Sequence, residues 1–167
     1  MFPIRPVPIT AYTATTGCGV GRAAFLDALD QRRSGLVPND FGPDPLPTFV
    51  GRVAGLEQAT VPEHLAVHDC RNNRLAWVGI QADGFLDGAR DAVARHGAGR
   101  VALLLATSTS SIGASEEDYA RLTADREFPV DLRRPEVHHP HSLGAFLRAL
   151  TGVRGPTMTT ATACSSS

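Results

Sequence analysis

Val101-Ala-Leu-Leu-Leu-Ala106 is an unbroken apolar run held between a glycine turn and the Ser/Thr loop that opens at Thr107. It is far too short to span a bilayer, which takes ~20 apolar residues. The reading is a strand over 100–106, buried on both faces. Such a strand needs neighbours at its edges and other layers over its faces. The rest of the chain must therefore supply a sheet and the helices that cover it.

Candidates for both follow in order. Residues 7–14 hold β-branched and small side chains after a proline-rich lead and read as a first strand. Gly17-Cys-Gly-Val-Gly21 has the glycine density of a tight turn. A helix follows from Arg22, with Phe25, Leu26 and Leu29 on one face and an end near Ser34-Gly35. Pro38, Pro43, Pro45 and Pro47, with Pro62 closing the region, mark 36–62 as an irregular excursion around a short strand at 49–53. Leu75, Val78, Ala82, Phe85, Leu86, Ala89 and Val93 keep helical spacing across 71–96. Gly84 and Gly88 weaken that helix in the middle, and Gly97 is placed to cap it. Ser115-Glu-Glu-Asp118 reads as a capped helix start, 142–150 as a short helix, and 156–163 as the last strand. Alternating helices and short apolar strands give an α/β layered fold in one domain, 1–167. The last strand and turn reach Ser167 with no helix to cover the sheet, so the expectation is a domain cut short there.

Composition removes several function classes. Sixteen basic residues, all arginine, face seventeen acidic ones. No net field favours nucleic acid or an anionic membrane. No stretch suits a membrane span, and the proline-rich start Met1-Phe-Pro-Ile-Arg-Pro-Val-Pro8 does not suit a signal peptide. The expectation is a soluble, cytoplasmic protein. Cys18, Cys70 and Cys164 are odd in number and far apart, which argues against a disulfide framework. No CxxC or HExxH spacing suggests a metal.

Among reactive side chains Cys164 has the best placement, at the turn after a strand in Thr157-Met-Thr-Thr-Ala-Thr-Ala-Cys-Ser-Ser-Ser167. Free amides of a following helix would favour thiolate, and its small neighbours would admit a substrate carbonyl. The bland alternative is an inert thiol in a small-residue segment. His138, His139 and His141 lie twenty-three to twenty-six residues before it. They are either a local base or metal cluster, or a polar loop before a helix; Pro140 breaks helical metal spacing and favours the loop. His64 and His68 share a helical spacing but lack a third ligand. The Gly17–Gly21 loop departs from a dinucleotide fingerprint at Arg22, where the third glycine would fall. Cys18 and Cys70 read as structural, and Arg71 and Arg74 as partners of Asp69 or as helix caps.

Thr162-Ala-Cys-Ser-Ser-Ser167 resembles the nucleophile motif of β-ketoacyl-acyl-carrier-protein synthases. Four more segments fall in that family's order. Ile9-Thr-Ala-Tyr-Thr-Ala-Thr-Thr-Gly17 resembles the opening strand and turn, with Ala11 where the family usually has glycine. Phe25-Leu-Asp-Ala-Leu29 through Arg33-Ser-Gly35 is similar to the first helix and its exit. Cys70-Arg-Asn-Asn-Arg-Leu-Ala76 resembles the start of the long helix of the elongation enzymes, and Leu104-Leu-Ala-Thr-Ser-Thr-Ser-Ser111 the strand and small-residue loop.

The resemblance implies the N-terminal half of a thiolase-like fold and a decarboxylative Claisen condensation in fatty acid or polyketide-type synthesis. Cys164 would carry the acyl chain as a thioester, and malonyl-acyl-carrier protein would supply the attacking carbanion after losing carbon dioxide. It implies no bound cofactor, since acyl groups arrive on the phosphopantetheine of acyl carrier protein. It implies a homodimer, or a heterodimer with another synthase subunit, formed through the strand before the cysteine. Two histidines, a lysine and one oxyanion donor would lie downstream, so these 167 residues alone are expected to be inactive as a condensing enzyme, and aggregation-prone or only partly folded. A non-catalytic partner subunit similar to a chain-length factor is the alternative, but such subunits usually replace the cysteine. An unrelated α/β binding module with a chance TACSSS segment is the third.

Overall fold

The computed structural model describes residues 6–166. The chain is mixed α/β, 46% helical and 11% strand, so helices supply most of the cover. No helix among the described residues is long and apolar enough to cross a membrane.

The first strand is late and short. Strand β1 (Thr15–Thr16) turns through Gly17 and Cys18 into antiparallel β2 (Gly19–Val20). Residues 7–14 form no strand, and Val7 and Ile9 are 87% and 84% exposed. Pro6 and Pro8 offer no N–H to a ladder, which is the local reason. Helix α1 (Arg22–Asp30) begins where the sequence places it but ends at Asp30, short of the expected exit near Ser34-Gly35, because Arg32 is left-handed at φ 50°. Its buried residue is Ala28, while Leu26 and Leu29 face outward. Small residues govern this contact, because a Cβ on Gly19 would lie 2.7 Å from that of Ala24. Strand β3 (Leu36–Pro38) pairs antiparallel with β4 (Phe49–Gly51), within the expected excursion. This ribbon stacks on the β1–β2 hairpin backbone to backbone. A Cβ on Gly17 would meet the Gly35 carbonyl at 2.7 Å and Gly51 Cα at 2.8 Å. No side chain fits there.

The helix expected over 71–96 is two helices, α2 (Arg71–Ile80) and α3 (Phe85–His96). Asp83 (φ 57°) and Gly84 (φ 70°) are left-handed and break the ladder between them. The break turns Asp83 toward α1. Its Oδ2 accepts the Arg22 amide at 2.9 Å and the Thr13 hydroxyl at 2.8 Å. Gly21 precedes α1 with no side chain to cap it, so a carboxylate sixty-one residues away satisfies that amide. Gly97 (φ 88°) closes α3, as its position in the sequence suggests.

Strand β5 (Leu103–Ala106) leads to α4 (Ile112–Tyr119), α5 (Pro135–His138), α6 (Ser142–Thr151) and β6 (Thr157–Thr160). β5 and β6 are parallel, Leu103 opposite Thr157 and Ala106 opposite Thr160. Helix α6 lies on this pair so closely that a Cβ on Gly144 would sit 2.5 Å from Thr159 Oγ1. Leu86, Phe146, Leu147, Leu150, Val61 and Leu65 make the core, with Trp77, Leu103 and Leu105 packed against it. Asn73 on α2 is fully buried and donates to the His68 carbonyl at 2.8 Å and to Ser142 Oγ at 3.2 Å, tying α2 to α6. The strand expected to be buried on both faces is half-buried on one, through Leu103 and Leu105. Leu104 and Met158 are 68% and 59% exposed on the other, because no layer of the described chain covers it.

Helix α4 starts at Ile112, three residues before the expected cap at Ser115. Ser111 precedes it without capping, since its hydroxyl donates instead to the Val137 carbonyl. Ser115 therefore stands one turn inside the helix, on the face it shares with Asp118.

Candidate functional site

Parallel pairing puts the loops after β5 and β6 at one end of the sheet, the end where open α/β sheets bind ligands. The Thr107 amide donates to the Thr160 carbonyl at 3.0 Å, and Ser166 Oγ lies 2.8 Å from the Thr107 carbonyl. Cys164 is exposed on a 3-10 turn, Ala163–Ser165, directly after this strand. Ala163 is left-handed (φ 52°), so the chain reverses sharply there. The Thr162 amide donates to Ser166 Oγ at 2.8 Å, and Ser165 Oγ donates to the Thr162 carbonyl at 2.8 Å. Two serine side chains thus brace the turn and leave the thiol outside it. Ser167, the last residue of the motif, lies outside the described residues.

Beside this turn is a cleft of about 390 Å³, walled by the loop from Ser108 to Ile112, by Ser115 and His138, and by Ala161. Cys164 is not among its walls; Ala161 brings the β6 exit to its edge. The histidines do not converge. His138 turns inward: Nδ1 meets Ser115 Oγ at 2.9 Å, and Nε2 meets the Leu132 carbonyl at 3.0 Å. Asp118 Oδ2 is 3.1 Å from the same Nε2 and is gripped by Arg134 at 2.6 Å. Phe128 stacks on the imidazole, centroids 5.7 Å apart and planes within 12°. His139 faces His141, whose backbone amide it accepts at 3.0 Å. No group of three metal-binding side chains occurs among the described residues.

The remaining candidates have structural surroundings. His68 lies edge-on to Phe146 at 6.2 Å, on the 3-10 segment Glu63–His68 that also carries His64. Cys70 is buried at the start of α2, and burial pushes its thiol up from the ordinary value. Cys18 is half-buried in the β1–β2 turn. Arg74 grips Asp69 with two bonds of 2.7 and 2.6 Å, which pushes the guanidinium further up. Arg71 pairs with Glu57 at 3.0 Å rather than with Asp69, and that hydrogen bond holds the Glu57 carboxyl below its ordinary value. The Ser115–Asp118–His138 set was missed in the sequence because Ser115 and Asp118 read as cap residues. Their i, i+3 spacing was the available signal; the arrival of His138 was not.

No protein-family model and no curated protein sequence matches the chain.

Proposed function

We propose that Cys164 is the acyl-accepting nucleophile of a β-ketoacyl-acyl-carrier-protein synthase, in the N-terminal part of a thiolase-like fold. The observation that carries this reading is an exposed thiol, inside the Thr162-Ala-Cys-Ser-Ser-Ser167 motif, on the turn that leaves a parallel strand. In the first half-reaction the Cys164 thiolate attacks the carbonyl of an acyl thioester. A new carbon–sulfur bond forms as the old one breaks, and the carrier's phosphopantetheine leaves as a thiolate that takes a proton from water. Condensation with malonyl-acyl-carrier protein then needs the histidines that the resemblance puts beyond Ser167. The partner in this reading is acyl carrier protein, and the setting is the cytoplasm. A second copy, or another synthase subunit, would add along β6. That strand pairs with β5 on one edge and with no other strand among the described residues.

The test is acyl transfer from a phosphopantetheine thioester, read by mass spectrometry of the Cys164 peptide. One acyl group on Cys164, absent in Cys164→Ala, is the expected result. If Cys164 alkylates readily with iodoacetamide yet neither takes an acyl group from the thioester nor opens the ring of an epoxide inhibitor of condensing enzymes, the reading fails.

A further inference from the structure

The cleft beside Cys164 contains a reactive constellation of its own. We propose that Ser115, His138 and Asp118 form a second nucleophilic site, one that takes the acyl group of small carboxylic esters and releases it to water. Helix α4 sets Ser115 and Asp118 three residues apart on one face, and the end of α5 brings His138 to both. The contacts fix the tautomer. Both neighbours of Nε2, the Leu132 carbonyl at 3.0 Å and the Asp118 carboxylate at 3.1 Å, are acceptors, so Nε2 carries the proton. Nδ1 then offers a lone pair, and the Ser115 hydroxyl donates to it at 2.9 Å. This is the relation of a serine nucleophile to its base, with a carboxylate behind the ring to stabilise the imidazolium; it is defined by geometry and roles, not by chain order. The stacked Phe128 and the Arg134 grip on Asp118 hold both partners in place.

A second observation points to a ligand. Ser110 is only 9% exposed and lines the same cleft, yet its Oγ has no hydrogen-bond partner. Its amide is occupied by Thr107 Oγ1 at 2.9 Å, and its backbone is left-handed at φ 51°. A buried hydroxyl held open in a strained loop is free to donate to an oxygen that develops negative charge. Ile112, Tyr119, Phe128 and Pro140 make the rest of the wall largely apolar, which suits an ester with a short acyl chain and an aromatic leaving group. In the first step Ser115 Oγ bonds to the acyl carbon and its proton passes to His138 Nδ1. The ester carbon–oxygen bond breaks and the leaving alcohol takes that proton. Water, giving its proton to Nδ1, then attacks the acyl-serine; the carboxylic acid leaves and Ser115 recovers its hydrogen.

The experiment is labelling of the 167-residue chain with a fluorophosphonate, mapped by mass spectrometry, together with 4-nitrophenyl acetate hydrolysis. Expected is a single adduct on Ser115, absent in Ser115→Ala, with Cys164→Ala labelled as the parent is. Ser110→Ala should hydrolyse the ester at least tenfold more slowly, the loss typical of an oxyanion donor being about 10²–10³. His138→Gln should label at least tenfold more slowly. Because His138→Gln removes packing as well, the parent chain in urea is the companion measurement, and there labelling of Ser115 should vanish. No adduct on folded parent protein, an unchanged adduct yield in Ser115→Ala, or equal labelling in urea overturns the proposal. Each outcome is independent of whether Cys164 accepts an acyl group.

Discussion

Asp83 shows how much one side chain can decide. Its carboxylate accepts the Arg22 amide and the Thr13 hydroxyl, and these bonds, with the arginine charge nearby, hold its carboxyl below the ordinary value of 3.8. A carboxyl depressed in the folded state adds stability above its unfolded value and loses it as pH falls through the folded one. Unfolding in urea at stepped pH should therefore show stability decreasing below about pH 3.8 in the parent, with that slope reduced in Asp83→Asn. Cys70 has the opposite sign. Burial raises its thiol above 9.0, so its contribution is present below that value and is lost as pH rises through the folded pKa. The same burial separates the cysteines chemically. Iodoacetamide at neutral pH should modify exposed Cys164 within minutes, and Cys70 only at the rate of unfolding. Comparable rates at the two thiols would mean that Cys70 is not buried in solution.

Between elements, close approach is governed by glycine at a few positions rather than by the apolar pattern. Gly144 lets α6 lie on β6, and Gly17, Gly35 and Gly51 let two ribbons stack. Gly144→Ala should cost about 1–3 kcal/mol, because the new methyl group meets Thr159 Oγ1 at 2.5 Å in a packed layer. Denaturant titration reads this directly, and a neutral result would show that α6 can shift away from the sheet. Helix starts were legible where spacing agreed with a preceding glycine or proline, as at Arg22 after Gly21 and Ser142 after Pro140. They were misread at Ser115, where serine followed by acids is as good an interior turn as a cap. The 71–96 helix kept its period through Ala82 and Phe85, so periodicity alone gave no sign of the left-handed pair at Asp83 and Gly84.

Across the whole molecule, the apolar surface is unevenly covered. The core gathers on α2, α3, α6 and one face of the β5–β6 pair, and Leu104 and Met158 stand outward on the other. Adjacent apolar side chains on an exposed sheet face favour association. Sedimentation should show the chain self-associating with rising concentration, and Leu104→Gln with Met158→Gln should shift it toward monomer. Monomer at every concentration in the parent would mean that this face is not sticky enough to matter.

The sequence by itself determined the α/β class, the helices that begin at Arg22 and Ser142, the β5 and β6 strands, and the position of Cys164 on a turn. These follow from local periodicity, glycine and proline, which act over a few residues. Only the tertiary structure decided that Asp83 caps α1, that β5 is covered on one face, and that Ser115, Asp118 and His138 meet around one cleft. The Asp83–Arg22 and Ser115–His138 contacts join residues sixty-one and twenty-three positions apart along the chain. Hydrogen bonds and packing of that kind arise from how elements dock, and residue spacing does not encode the docking.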